Sequence, residues 1–315
     1  MHESFVVIKP TGLRAIKSDP FGAIRLRNIY CVNDLWVSVD KPDFIDVGGD
    51  VDFVFNGIFN TFFFMGGNVF VVNASGQYSL IGFVGALNGG VYGVADFGQV
   101  FVVAGPEKLL YKWDFGNGIV VGSAVSNIYL VSSDDSTRMF YCKRGFENVV
   151  FWTAPDGIDI PHVLSSTTPP VEILARNESN AAKMPWRGTI RAVVPINETT
   201  VVVYGDRGIT YLVLESGTYV PVDVPGVPRG LGIKSYRAVA RGIGYHYFIS
   251  SDGALWRITP EGGERLGYEE FFSFIDDPAV SISLKNGLVY INSYMYYDNK
   301  LSGPHGFSVV GVCGF

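Results

Sequence analysis

Four histidines and three cysteines head the residues of this 315-residue chain that could do chemistry. His2, His162, His246 and His305 stand far apart, without the HExxH spacing that sets two imidazoles on one zinc. Cys31, Cys142 and Cys313 form neither a paired framework nor a CxxC motif. Cys31 and Cys142 fall inside apolar runs, IYCV and MFYC, and read as buried free thiols in a reducing compartment. Asp46, Asp50 and Asp52 could suggest calcium. Their spacing lacks the fixed glycine and terminal glutamate of an EF-hand loop, so they read as a polar turn, as do Asp134 and Asp135. GLGIKS at 230–235 has no GKS or GKT and no strand-to-helix setting, so it is not a phosphate loop. No GxSxG elbow or dinucleotide fingerprint occurs. The expectation is no catalytic residue, no metal and no cofactor: not an enzyme.

These residues are set among short β-strands, as for Cys31 and Cys142, and the polar turns between them. Glycine (38 residues) and aromatics (14%) are abundant, and helix-like apolar spacing is nearly absent. Short apolar runs recur: IYCV at Ile29, VFVV at Val69, VFVV at Val100, MFYC at Met139, VVVY at Val201, YFIS at Tyr247 and LVYI at Leu288. Most lead through a tight turn (KRGFE, GDRG, SSDG) into another strand, which is the hairpin signal. A strand also precedes most of them, and TIRAVVPINETTVVVYGDRGITYLVLESGTYVPVDV spells out a four-stranded unit.

The anchors recur at intervals near the 40–50 residues of a four-stranded propeller blade. The step from Val69 to Val100 is short and reads as a trimmed blade; the step from Met139 to Val201 is long. The expected fold is therefore all-β: a single β-propeller over 1–315 with about seven four-stranded blades, in the range six to eight. SFVVIKP and FSVVGVCGF, near the two termini, are both strand-like and would close the ring together.

Charge and composition bound the partners. The net charge is -6, which argues against broad nucleic-acid adhesion. The N-terminal sequence has no basic segment leading into a long apolar run, so no signal peptide is expected. No run of 18 apolar residues occurs, so no membrane helix is expected either. Between Phe53 and Ala95 there is no Asp, Glu, Lys, Arg or His. An uncharged outer face this large would need cover, so Phe62, Phe63 and Phe64 become candidate partner contacts. The stretch 157–188 breaks the repeat with Pro161, Pro169, Pro170 and Pro185 and reads as a loop insertion between blades. Its Lys183, Trp186 and Arg187 are the second group of candidate contacts.

TRMFYCKRGFENVVFWTAPDGIDIPH resembles a line found in propeller proteins of phage tails and necks. The likeness lies in Arg138, Phe140, Tyr141, Gly145, Trp152, Pro155 and Pro161, and DLWVSVDKPDFIDVGGD has a similar flavour. The resemblance implies a non-enzymatic structural subunit of a virion neck, nozzle or tail tip. Such a subunit is assembled in the host cytoplasm as a symmetric ring with other virion proteins. Nozzle-type members carry a platform domain for which this chain has no room. A ligand- or carbohydrate-binding propeller using Tyr and Trp is the alternative, and a propeller hydrolase is a third. Ser250, Asp252, Gly253 and Trp256, in YFISSDGALWRI, come one residue short of the Asp-box of sialidases and occur once. They read as turn and packing residues.

Overall fold

The computed structural model describes residues 29–32, 35–38, 51, 53–56, 60–72, 77–85, 93–96, 101–104, 110–113, 120–123, 128–133, 138–153, 180–273, 282–285, 288–291, 294–297 and 300–302. Among them the chain is all-β, built from antiparallel sheets laid down one after another. A hairpin comes first: β1 (Ile29–Val32) and β2 (Leu35–Ser38). The first four-stranded sheet holds β3 (Phe53–Asn56), β4 (Thr61–Met65), β5 (Asn68–Val72) and β6 (Tyr78–Phe83). The second holds β7 (Gly93–Asp96), β8 (Phe101–Ala104), β9 (Leu110–Trp113) and β10 (Val120–Ser123). The third holds β11 (Ile128–Ser133), β12 (Met139–Lys143), β13 (Val149–Trp152) and β14 (Asn180–Lys183). The fourth holds β15 (Ile190–Pro195), β16 (Thr200–Gly205), β17 (Ile209–Glu215) and β18 (Thr218–Asp223). The fifth holds β19 (Val239–Gly242), β20 (Tyr245–Ile249), β21 (Leu255–Thr259) and β22 (Gly262–Gly267). A one-turn helix α1 (Glu269–Phe272) precedes the sixth, formed by β23 (Ile282–Lys285), β24 (Leu288–Ile291), β25 (Tyr294–Tyr297) and β26 (Lys300–Ser302).

Strand order follows chain order in every sheet, so each is a meander. Successive sheets stack face to face: β11 lies against β7 and β15, and β19 against β23. The opening hairpin meets the last sheet, because β1 lies against β25 and β26. Stacking on both sides explains why the middle strands are apolar without the usual polar alternation. β16 is buried at every position. Its Val201 and Val203 join a core with Phe140, Cys142, Trp152 and Tyr219, while Val202 and Tyr204 join one with Phe248, Leu255 and Trp256. One strand therefore belongs to two cores. β11 and β15 carry a bulge at the same place, between Ile128 and Leu130 and between Ile190 and Ala192. A repeated bulge re-aims the start of each sheet in the same way.

Two features differ from the sequence reading. The run at Val69 is the third strand of its sheet, whereas the runs beginning at Val100, Met139, Val201, Tyr247 and Leu288 mark second strands. The second strand there is TFFFM, and from Thr61 to Phe101 the step is 40 residues. The short step reflects a different strand, not a trimmed sheet. The stretch 157–188 does not lie between sheets throughout: it ends with β14, the fourth strand of the third sheet, paired residue for residue with β13 from Val149–Lys183 to Trp152–Asn180. Extra chain between the third and fourth strands accounts for the long step. SFVVIKP, FSVVGVCGF and residues 157–179 lie outside the described residues.

Trp152 is 1% exposed and meets Tyr219 edge to face with centroids 5.3 Å apart, across the third and fourth sheets. Trp152→Ala leaves a cavity at that junction and is expected to lower stability by about 3–5 kcal/mol in urea unfolding followed by circular dichroism. A loss below about 1 kcal/mol would contradict the shared core.

Candidate functional site

The sheets are locked at one end by a repeated connection. The two linkers described in full, after β14 and after β18, each cross a second-to-third hairpin turn and bond to it. After β14, Met184 N–H donates to Asn148 O at 2.8 Å and Ile190 N–H to Glu147 O at 2.8 Å, on the KRGFE turn of the same sheet. The same linker reaches the next sheet: Asp206 N–H donates to Thr189 O at 3.1 Å, and Thr189 N–H to Asp206 Oδ1 at 3.0 Å. After β18 the pattern recurs. Ile233 N–H donates to Gly205 O at 2.9 Å, Lys234 N–H to Ile249 O at 3.2 Å, and Ser251 N–H to Gly232 O at 2.8 Å.

Trp186 is the bolt of the first linker. Its Nε1–H donates to Thr210 Oγ1 at 2.8 Å, and its carbonyl accepts Asn148 Nδ2–H at 3.1 Å. The indole fills a slot that exists because Gly205 and Gly208 have no side chain: a Cβ there would lie 2.3 and 2.1 Å from ring atoms. Of the three candidate contacts on this linker, half-buried Trp186 is engaged by its own chain. Lys183 and Arg187 are exposed beside it.

The SSDG turn is built the same way and for the same purpose. The single Ser250 Oγ–H is shared between Asp252 Oδ1 and Ala254 O, the latter at 3.0 Å, while Gly253 N–H donates to Ser250 O at 2.8 Å. Gly253 takes φ +85°, and a Cβ there would meet the Ser273 backbone at 2.6 Å. Trp256 is buried and stacked on Phe248 at 6.0 Å. These residues supply geometry, as the sequence indicated. GLGIKS is also structural: Gly232 packs on the Asp206 backbone, and buried Lys234 donates from Nζ to Ser273 O at 3.4 Å.

The uncharged stretch holds a different surprise. Phe62, Phe63 and Phe64 are buried, at 0%, 3% and 0% exposure. They are core residues, which corrects their assignment as partner contacts. TFFFM is a second strand, covered on both faces like β12 and β16, and Phe62 meets Trp113 of the next sheet edge to face at 5.8 Å. The exposed apolar residues sit on the outer strand β6 instead: Tyr78 at 42%, Leu80 at 58% and Phe83 at 61%. Strict alternation would put Phe83 on the face opposite Tyr78 and Leu80. A bulge between the Val69–Gly82 and Phe70–Leu80 pairs re-phases the strand, so all three share one face. That face continues inward through Phe70 and Phe63, which stack at 4.7 Å, with Tyr78 edge-on to both. The absence of charge was legible in the sequence; the bulge that gathers the three side chains was not.

Two groups able to do acid–base chemistry, His246 and Cys142, are held inside. His246 is fully buried, with Nδ1 2.8 Å from Tyr204 Oη and Nε2 3.0 Å from Pro195 O. The carbonyl can only accept, so Nε2 carries the proton and Nδ1 accepts from the tyrosine hydroxyl. The pair ties the fourth sheet to the fifth. Cys142 is a buried free thiol, as expected, and burial pushes its pKa upward. Among the described residues no three His, Cys, Asp or Glu side chains form a metal cluster, and no helix is long and apolar enough to cross a membrane. His2, His162, His305, Cys313, Asp46, Asp50, Asp52, Asp134 and Asp135 lie outside the described residues, as does the side chain of Cys31. One open groove of about 870 Å³ runs between the β15–β16 and β19–β20 turns, lined by Asn197, Glu198, Arg241, Ile243 and Tyr245. Ile243 is 99% exposed at its rim.

No protein-family model matches the chain, and no curated protein matches it. Among solved structures, the extracellular domain of the putative one component system BT4673 from B. thetaiotaomicron is similar over 89% of this chain. The TM-score is 0.51, the identity 9%, and the match covers 37% of that chain. The computationally designed Ika8 protein is similar over 80% of this chain and 69% of its own, with a TM-score of 0.46 and 12% identity. The likeness to the extracellular domain is one of fold alone.

Gly208→Ala is expected to drive the indole of Trp186 from its slot and cost about 1–3 kcal/mol. Tryptophan emission should shift to the red, and Thr210→Val should cost a further measurable but smaller amount, about 0.5–1.5 kcal/mol. Unchanged emission and melting in the Gly208→Ala chain would show that Trp186 does not bolt the sheets.

Proposed function

We propose that this chain is a non-enzymatic structural subunit that works through protein–protein contacts. The observation that carries this reading is the outer face of β6. Tyr78, Leu80 and Phe83 project together from a strand with no charge and an unpaired outer edge among the described residues. Exposed apolar edge strands are normally blunted by Lys, Pro or other charges. The outer strands of the third, fourth and fifth sheets follow that rule: β14 ends in Lys183, β18 in Asp223, and β22 carries Glu264 and Arg265, whereas β10, VVGS, is uncharged and its side chains lie outside the described residues. β6 does not, which fits a strand covered by a partner in use.

The proposed architecture is a seven-bladed β-propeller, with the six four-stranded sheets as blades and the β1–β2 hairpin as part of the seventh. Meander sheets stacked in chain order favour it, and so does the contact of β1 with the last sheet. With the resemblance around TRMFYCKRGFENVVFWTAPDGIDIPH, the setting proposed is a bacteriophage virion, at the tail or neck. Copies would be arranged there as a symmetric ring with other virion proteins. The groove beside Ile243 favours a second reading, a ligand- or carbohydrate-binding propeller, because polar Asn197, Glu198 and Arg241 converge with Tyr245 there.

The two readings separate on one double variant. Leu80→Glu with Phe83→Glu is expected to leave stability within about 1 kcal/mol, since both positions are exposed. It should reduce multimers of the purified chain, measured by light scattering, by at least about tenfold in affinity. A monomeric parent chain that binds glycans on an array, with binding lost in Arg241→Ala, would favour the groove and overturn the structural-subunit reading.

A further inference from the structure

In a meander sheet the second-to-third turn lies at one end of the strands, and the first-to-second and third-to-fourth turns lie at the other. Among the described residues of the third to fifth sheets the two ends differ in charge. At the first end, Arg144 of the KRGFE turn, Lys183 closing β14, Arg187 of the linker and Arg207 of the GDRG turn are all exposed. The linker bonds described above hold these four positions around the junction of the third and fourth sheets. Among the described residues none of the four has an ion-pair partner, whereas other arginines do: Arg229 with Asp223 at 2.7 Å, Arg257 with Glu264 at 2.6 Å, and Arg265 with Asp252 at 3.3 Å.

Acids stand among these cations but face the backbone. Glu147 accepts Gly145 N–H at 2.9 Å, which holds its carboxyl below the usual range, and Asp206 accepts Thr189 N–H at 3.0 Å. Both stay negatively charged, so among the described residues of this junction four exposed cations stand against two carboxylates, a surplus of positive charge on a chain whose net charge is -6. At the opposite end, Glu198 of the β15–β16 turn, Glu215 closing β17 and Glu261 of the β21–β22 turn are exposed, with Arg241 the cation beside Glu198 in the groove. None of the three glutamates has an ion-pair partner among the described residues.

We infer that copies of this chain associate head to tail, with the basic end around Arg187 and Arg207 seated on the acidic end around Glu198, Glu215 and Glu261 of the next copy. The inference rests on the protein-contact reading and names a second copy as the partner. Such a contact joins two different surfaces, so it does not close at a dimer but continues from copy to copy, into a ring where the rotation closes and along an axis where it does not. Charge complementarity of this kind steers encounter and fixes orientation. Nucleic acid suits the basic end less well, because the acidic remainder of the chain repels a polyphosphate.

The test uses the full chain carrying Leu80→Glu and Phe83→Glu, so that the apolar contact is already removed. Sedimentation velocity should detect association at about 50 mM salt that disappears at about 500 mM, where screening is strong. Arg187→Glu with Arg207→Glu, and separately Glu198→Lys with Glu261→Lys, should each weaken association at least about tenfold. Mixing the two reversed chains should restore it, because the altered ends complement each other. Near-UV circular dichroism checks the fold, and Arg187→Gln with Arg207→Gln replaces any reversed chain that fails to fold. A chain that stays monomeric at low salt overturns this inference while leaving the apolar-face reading standing. So does association unmoved by reversal, loss without rescue on mixing, or tighter binding of a short DNA duplex than of a second copy.

Discussion

The linker pinned across a hairpin turn is the contact on which the rest of this molecule depends. Face-to-face stacking of small sheets buries apolar area but does not by itself fix the angle between one sheet and the next. Here the backbone does so. Residues 184–190 bond to the turn they leave and the turn they approach, and residues 231–235 repeat the arrangement one sheet later. Trp186 in its glycine slot and the Tyr204–His246–Pro195 chain add side-chain ties between the same neighbours. With the angle set, each middle strand can be apolar on both faces, which is why Val201, Val202, Val203 and Tyr204 run together without a polar residue.

That arrangement also separates structure from contact. Residues that look chemical in the sequence, such as Asp206, Asp252, Lys234 and His246, are engaged in holding turns, linkers and sheets. Among the described residues, an apolar face on an outer strand and the charges without ion-pair partners, cations at one end and glutamates at the other, lie at the periphery. A subunit that acts by being covered needs a rigid interior and an unsatisfied exterior, and the side chains divide along that line.

Most of the repeat was legible because second strands are continuous apolar runs followed by Gly-, Asp- or Asn-bearing turns. The same rule misled at Val69, where a third strand is as apolar as a second one. It misled again at Phe62 to Phe64, where lack of charge was taken for exposure although the strand is buried on both faces. β14 was hidden because NAAK carries almost no strand signal; its place comes from pairing with β13. Trp186 looked like a contact residue because its partners, Gly205, Gly208 and Thr210, lie in the next sheet. The exposed face of β6 could not be read at all, since it depends on a single register shift opposite Val69 and Phe70.

The central claim is that the chain acts through surfaces covered by other protein, with β6 chief among them. Hydrogen exchange compared between the isolated and the assembled chain addresses it directly. The account predicts that those amides of residues 78–83 that do not bond to β5 exchange freely in the isolated chain and become protected on assembly, together with the turns bearing Arg207 and Glu261. Exchange in β6 that is equally fast in both states, with new protection confined to the groove beside Ile243, would contradict it.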